Sequence, residues 1–346
     1  MKRKEFLQKG IASGAFLGTS ALAPGFTSEN GEQNQTHQDK SLQKLPGEKS
    51  HEILRDPEKL IIERPVPGKP HKGKVLLAIQ PHSDDITLYA AGTVAKLMDE
   101  GYTGYLLRTS DDSSGDYEGN RRDNEAIARF FGMEKAYDFM YKHHQMDAIQ
   151  IQDLKGRLIF LIRLLKVDTL ISYDPWEHYE ENPDHIATAH AVEAARWMAG
   201  AETDYPEHLD AGLSPHTPAE VYYYSRSPQR TNRIVDITNY MDKKVESNML
   251  NVTKGPAGTG KGMALKERLA REGKKLAVLG DDDSKADFNY IKNIVFDIQA
   301  RDSNFYSIST RALGEQYGIG WAERFHYIGP EENLTEKYIK ENAITK

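Results

Sequence analysis

The sequence predicts an α/β protein with a Rossmann-like, mostly parallel sheet that carries helices on both faces. Short segments rich in apolar or β-branched residues alternate along the chain with segments whose apolar residues recur at helical spacing. This alternation of strand and helix favours right-handed crossovers and therefore parallel pairing. The composition agrees, because 38% hydrophobic and 28% charged residues among 346 are typical of a globular protein with one large domain or two small ones.

The first predicted strand is VLLAIQ, residues 75–80, and a helical pattern begins near Ile86. The later predicted strands are TGYLLRTS, KAYDFMY and VDTLISYD, and the predicted helices are ITLYAAGTVAKLMDEG, NRRDNEAIARFFGM and LKGRLIFLIRLLK. Ligands of such sheets bind outside the carboxyl ends of the strands, near the reversal in strand order. We therefore expect the chemistry where the first strand ends.

Residues 1–23 are predicted to be a signal peptide. A basic start, MKRKEF, precedes the apolar segment Ile11–Ala23, which ends in a sequence similar to a cleavage site. RKEFLQKG also resembles a twin-arginine export signal in which Lys4 replaces the second arginine; a disordered or amphipathic tail is the alternative. The apolar segment is shorter than the about 20 residues of a spanning helix, so we expect export to the periplasm or medium with no stable membrane span in the mature form. Residues 24–60 are polar and predict a linker, which leaves residues 61–346 for the folded domain.

Composition narrows the chemistry that the chain can perform. It contains no cysteine, which excludes thiolate zinc sites, disulfides and cysteine nucleophiles, so any metal must be held by His, Asp, Glu or Asn. The net charge of -7 gives no basic footprint and argues against nucleic acid as a partner. GPAGTGKG, residues 255–262, is similar to a nucleotide-binding phosphate loop, but Gly262 replaces the Mg²⁺-binding hydroxyl residue and no buried strand precedes it. We therefore expect a glycine-rich loop that binds no nucleotide.

A histidine and two adjacent carboxylates, His82, Asp84 and Asp85, stand where the first strand ends. Asp84 alone could be explained as the cap of the following helix. That explanation leaves the histidine and the second carboxylate unaccounted for, and adjacent like charges repel. A cation among the three side chains removes the repulsion.

A second strand end repeats this arrangement, with Asp184 and His185 between VDTLISYD and an alanine-rich helix. Taken alone, a histidine such as His185 at a helix start more commonly bonds to backbone. Together the two loops would present His82, Asp85 and His185 to one crevice, and two imidazoles with one carboxylate leave positions open on a metal. Zn²⁺ is the expected ion for hydrolysis, with Fe²⁺ as the alternative.

Several motifs in order resemble the PIG-L family of N-acetylglucosaminyl deacetylases, also called LmbE-like proteins. The motifs are AIQPHSDD, GTVAKLMDEG, RTSDDSSGD, RRDNE, NPDH and STRALGEQYGIGWAERF, and they extend from about Lys74 to Phe325. The resemblance implies that residues 61–346 form a zinc-dependent hydrolase that removes an N-acetyl or other N-acyl group from an amino sugar or a glycoconjugate.

The resemblance also implies residue roles. His82, Asp85 and His185 would bind the metal, and Asp84 would be the general base that takes a proton from the attacking water. Asp184 would orient a ligand histidine through its ring N–H.

Substrate contacts are implied less directly. Arg122 would meet a sugar hydroxyl or a phosphate, although an ordinary exposed arginine paired with an acid is the alternative reading. Asp147, in HHQMD, would bind sugar hydroxyls.

Two residues depart from the family pattern. Asn182 stands where the family has a histidine that is thought to assist the reacting amide, and asparagine donates a hydrogen bond but delivers no proton. His178 could enter the site instead, with a surface position as its alternative. Asn251 stands where the family often has a second histidine, after a helix that bears a lysine. These departures leave open a different function, a catalytically weak, metal-containing carbohydrate-binding protein on the same fold.

Overall fold

The computed structural model describes residues 60–112, 116–253, 260–299, 309–330 and 334–344. The predicted signal peptide, nearly all of the predicted linker and most of GPAGTGKG lie outside these ranges. Within them, no helix combines the length and the apolar character that a membrane span requires.

Eight strands of the described ranges form one sheet in the order β1-β7-β8-β6-β5-β2-β3-β4. The strands are β1 (Ile61–Glu63), β2 (Val75–Gln80), β3 (Thr103–Ser110), β4 (Lys135–Tyr141), β5 (Thr169–Tyr173), β6 (Glu220–Tyr224), β7 (Arg233–Asp236) and β8 (Ala322–Ile328). All neighbours pair in parallel except at β8, which is antiparallel to β6 and to β7. The predicted Rossmann-like, mostly parallel sheet is confirmed.

The strand order reverses beside β2. The chain runs from β2 to β3 and β4 in one direction and then returns to place β5 on the other side of β2. The loops that follow β2 and β5 therefore meet at one edge of the sheet, which is the position where such folds bind ligands.

Helices cover both faces of the sheet. In the described ranges they are α1 (Asp85–Tyr89), α2 (Ala91–Asp99), α3 (Tyr117–Phe130), α4 (Ile151–Leu165), α5 (Pro183–Met198), α6 (Glu207–Asp210), α7 (Met241–Met249), α8 (Lys261–Arg271), α9 (Ala286–Tyr290), α10 (Thr310–Gln316) and α11 (Leu334–Asn342), with a π-helix at Ile291–Ile298.

The alternation of side chains in β2 explains why both faces are buried. Leu76 and Ala78 pack in one apolar cluster with residues of α2, α3 and α7, whereas Leu77 and Ile79 pack in another with residues of α4 and α5. Burial of each such leucine or isoleucine contributes about 1.5–3 kcal/mol. A continuous apolar run is what a parallel strand covered on both sides requires.

The helix predicted after the first strand is divided at Ala90 into α1 and α2. The start of α2 is not capped by a local side chain. Instead Glu323, from β8, accepts hydrogen bonds from the backbone N–H groups of Gly92 and Thr93 at 3.0 and 2.8 Å. A carboxylate more than two hundred residues away thus supplies the cap, which the local pattern does not reveal.

Candidate active site and metal centre

His82 and Asp85 are held in place by the turn that ends β2. Both side chains are buried, and Asp85 Oδ2 accepts the backbone N–H of His82 at 2.8 Å. Tyr173, the last residue of β5, donates its hydroxyl to Asp85 Oδ1 at 3.0 Å. Burial alone would raise the pKa of Asp85, but the charge of His185 and the hydrogen bond and charge of His82 hold it below its usual value.

His185 reaches the same point from the first turn of α5. That helix begins with Pro183 at its first position, and Asn182 Oδ1 caps it by accepting the N–H of Asp184 at 2.9 Å. His185 Nε2 lies 3.0 Å from His82 Nδ1, and Asp85 carboxylate oxygens lie 3.6 Å from each of those two nitrogens. The structure therefore brings together the three side chains that the sequence proposed as ligands.

These donors fit a metal ion. The ligand atoms of His82, Asp85 and His185 all lie within 4.8 Å of one another, and two imidazoles with one carboxylate suit Zn²⁺ or Fe²⁺. Burial lowers the pKa of His82, but hydrogen bonds to Asp184 and Asp85 and the negative charges of Asp85 and Asp112 outweigh burial and raise it to about 10. The carboxylates that favour a proton on His82 would equally stabilise a metal cation in its place.

A second group in the described ranges shares one of these residues. His82, His143 and His144 also place candidate ligand atoms within 4.8 Å of one another. His143 and His144 follow β4 and stack on each other with ring centroids 3.7 Å apart. His144 is exposed, whereas His82 is buried.

Each of the two candidate ligand histidines has a carboxylate beside its other ring nitrogen. Asp184 Oδ2 lies 3.1 Å from His82 Nε2, which is the kind of contact that the orienting role predicted for Asp184 requires. Glu180 Oε2 lies 3.1 Å from His185 Nδ1, and Arg226 binds Glu180 through two nitrogens at 2.6 and 2.9 Å. Burial would raise the pKa of Glu180, but the hydrogen bond and charge of His185 lower it to about 2.

We expect Glu180→Gln to weaken metal binding about 10–100-fold, because the carboxylate that fixes the ring of His185 would lose its charge. Competition of the purified protein with a chelating dye measures this affinity. Glu181→Gln is the matched control, since Glu181 is the exposed neighbour. Equal affinities in the two variants would contradict the orienting role of Glu180.

Asp184 is also held by the loop that follows β4. Its carboxylate accepts the backbone N–H groups of His144 at 2.8 Å and Met146 at 3.2 Å. Burial would raise its pKa, but the hydrogen bond to His82 and these amides lower it. The loop after β4 is therefore attached to the same carboxylate that orients His82.

Asp84 is half-buried between Ser83 and Asp85. It occupies the capping position of α1, but its side chain makes no capping hydrogen bond, so helix capping does not account for it. Burial raises the pKa values of Tyr89 and Tyr224, and the charges of Asp85 and Asp84 add to the effect, so both carboxylates act on the same set of side chains.

The three residues proposed to bind substrate are exposed on the surface, unlike the buried group. Arg122 is exposed on α3, and Asp147 is exposed in the short turn Met146–Ala148. His178 is exposed as well; its backbone N–H donates to Pro228, and its ring lies near Tyr179. None of the three belongs to the two metal-holding groups found in the described ranges.

Asn251 lies under the first loop. It is buried, and its Oδ1 accepts the hydroxyl of Ser83, the residue that follows His82, at 3.3 Å. Ser83 also donates through its N–H and hydroxyl to Asp112. Asn251 therefore supports the turn of the first motif.

A cleft of about 200 Å³ opens beside His185, between the loop after β5 and the start of α5. Glu177 and Glu180 line it together with Tyr179. Burial and the neighbouring Glu180 raise the pKa of Glu177 to about 8. Of the buried group, His185 lines this cleft, and His82 and Asp85 do not.

The start of α8 is occupied by the chain itself. The backbone N–H groups of Gly260, Gly262 and Met263 donate to the carboxylate of Asp287 at 2.6, 2.8 and 3.3 Å. A Cβ on Gly262 would lie 2.2 Å from the carbonyl oxygen of Ala286, so glycine is required by this close approach. Its role here is packing against α9.

Sequence reasoning missed five residues around the metal-holding groups. They are Tyr173, Glu180, Arg226, His143 and His144. The paired histidines in HHQMD, at the end of a predicted strand, were a visible signal. Nothing local singled out Tyr173, Glu180 or Arg226, because each acts through a partner on another element.

Comparisons with known proteins point to one family. Residues 77–196 match the family model described as "PIG-L: GlcNAc-PI de-N-acetylase". Diacetylchitobiose deacetylase of Thermococcus kodakarensis is 29% identical over 183 residues, which are 50% of this chain and 67% of that protein.

Solved structures show the same fold. The N,N'-diacetylchitobiose deacetylase of Pyrococcus horikoshii, in complex with an inhibitor, aligns with a TM-score of 0.54 at 21% identity and covers 75% of this chain and 86% of its own. The conserved protein TT1542 of Thermus thermophilus aligns with a TM-score of 0.51 at 18% identity, covering 74% and 94%. Residues 77–196 of this chain therefore match the PIG-L family, and the match includes the loops of both His82 and His185.

Proposed function

We propose that this protein is a metal-dependent N-deacetylase that hydrolyses the acetamide of an N-acetylglucosamine-type sugar or a small conjugate of one. The observation that carries the proposal is the buried group of His82, Asp85 and His185 at the reversal in strand order, with Asp84 beside it. The PIG-L family match and a relative named for deacetylating diacetylchitobiose support an enzyme that acts on N-acetyl amide bonds.

His82, Asp85 and His185 would hold the ion, for which Zn²⁺ is expected and Fe²⁺ is the alternative. When bound, such an ion polarises a carbonyl oxygen and lowers the pKa of a coordinated water to about 7. The fixed carboxylates Asp184 and Glu180 keep the two imidazoles oriented with the required nitrogens inward.

The remaining chemistry belongs to side chains that do not hold the ion. Asp84 accepts a proton from the attacking water as the water oxygen approaches the acyl carbon. The carbon–nitrogen bond then breaks with its electron pair passing to nitrogen, which takes up the proton that Asp84 accepted, and the products are acetate and the free amine. Asp184 is not a proton donor in this scheme, because its lowered pKa keeps it ionised.

The test combines metal analysis with product analysis. We expect about one equivalent of zinc or iron by mass spectrometry, and acetate release from N-acetylglucosamine or N,N'-diacetylchitobiose that stops when a strong chelator is added and returns with Zn²⁺. Metal without acetate release, together with binding of the same sugars, would instead favour the carbohydrate-binding alternative. Absence of metal in both the purified and the Zn²⁺-supplemented protein would contradict the central claim.

A further inference from the structure

His144 combines three properties that no other imidazole in the described ranges shows together. It lies beside the buried group, with its ring edge-on to that of His82 at a centroid distance of 6.0 Å. It is exposed, so its ring lies on the solvent side of that group. Its backbone N–H is bound to Asp184, the carboxylate that orients His82.

The backbone of His144 is held in an uncommon conformation. Its φ is +54°, in the left-handed region that residues with a Cβ seldom adopt. Such strain costs of order 1–3 kcal/mol and persists only where surrounding contacts impose it. The hydrogen bond to Asp184 and the stacking on His143 are such contacts, and together they fix the position of the His144 ring.

The side chain of Asn182 lies beside this ring. The side-chain Nδ2 of Asn182 lies 3.5 Å from His144 Nε2. An amide nitrogen only donates, so a hydrogen bond between these two nitrogens requires Nε2 as the acceptor and the ring proton on Nδ1. The other end of Asn182 is already committed, because its Oδ1 caps α5. Both ends of the Asn182 side chain are thus in contact with other residues, and the Nδ1–H of His144 remains as a hydrogen-bond donor for a ligand.

Amide hydrolysis needs such a donor. When water adds to the acyl carbon, the carbonyl oxygen takes on negative charge, and a positioned N–H lowers the energy of that state. Asp84, Asp85 and Asp184 are acceptors when ionised and cannot serve. His178, the substitute considered from the sequence, lies near Tyr179 and outside both metal-holding groups.

We infer that His144 is a catalytic residue that hydrogen-bonds the carbonyl oxygen of the reacting acetamide, with Asn182 as the residue that positions it. The inference rests on the proposed deacetylase function. It assigns His144 to catalysis, although the grouping of His144 with His82 and His143 would also allow it to be a metal ligand.

The experiment compares His144→Ala and His144→Gln with the wild type, using acetate release from N,N'-diacetylchitobiose, metal content and thermal unfolding. We expect His144→Ala to lower kcat about 10²–10³-fold with little change in KM, because the lost bond forms only as charge develops. Glutamine retains an N–H donor, so kcat of His144→Gln should be at least tenfold higher than kcat of His144→Ala. Metal content and Tm should remain those of the wild type in both variants.

His71→Gln is the matched control, because His71 precedes the amino end of β2, away from the site, and should leave kcat unchanged. Loss of metal in His144→Ala would overturn the inference in favour of a ligand role. Equal kcat values in the alanine and glutamine variants, or a kcat close to wild type in His144→Ala, would also overturn it. Failure of the wild type to release acetate would reject the proposed function itself, and the inference with it.

Discussion

Asp84→Asn is expected to abolish most acetate release while leaving the metal in place. The substitution keeps the shape of the side chain but removes its ability to accept a proton from water, and a positioned general base contributes about 10²–10⁴ to the rate. Asp84 belongs to neither of the two groups in the described ranges whose atoms could jointly hold an ion, so metal content should stay near that of the wild type.

Steady-state kinetics and metal analysis on the same preparation check this prediction. Asp210→Asn is a suitable control, because Asp210 is an exposed carboxylate on α6. If Asp84→Asn lost its metal together with its activity, Asp84 would be a ligand and the division of roles between the adjacent carboxylates would be wrong. Activity close to that of the wild type would remove Asp84 from the mechanism.

Glu323→Ala is expected to cause the largest loss of stability among these variants. Glu323 is 2% exposed, pairs with the fully buried Lys244 at 2.6 Å and caps α2 through two backbone amides. Removing it would strand a buried ammonium and leave those amides without their acceptor. Breaking a buried pair from one side costs about 3–5 kcal/mol.

Chemical denaturation at neutral pH measures this loss, and Lys244→Met in the same background provides the informative comparison. Burial lowers the pKa of Lys244 against the opposing effect of Glu323, so the lone ammonium is the costly species. The double variant should therefore be more stable than Glu323→Ala alone. Arg121→Ala, which breaks an exposed pair with Glu118 and Glu125, should change the unfolding midpoint little. A similarly small effect of Glu323→Ala would contradict the account of the α2 start.

The part of the fold that the sequence predicts is the part governed by local pattern. VLLAIQ, TGYLLRTS and KAYDFMY are strands with the predicted bounds, because each is an apolar segment that ends in a turn. His82 and His185 could be predicted as candidate ligands because each stands at a strand end followed by a helix. By contrast, the antiparallel insertion of β8 between β6 and β7 depends on contacts between distant segments.

Some of the side chains that surround the candidate ligands could not be predicted from local sequence either. Glu180 matters because Arg226, at the end of β6, and His185 converge on it, and neither neighbour lies next to it in the chain. His144 matters because the end of β4 is brought beside α5. No local sequence pattern predicts these contacts, because each contact depends on the order of the strands in the sheet.

The approach of His82 to His185 has a thermodynamic consequence. Their ring nitrogens are 3.0 Å apart, although the residues are separated by 103 positions in the chain. Closing a loop of that length costs conformational entropy, so an unfolded chain would seldom present both imidazoles to one ion. An ion bound by His82 and His185 would therefore link metal uptake to the docking of β5 beside β2, and it would act as a cross-link between the loops that follow these two strands.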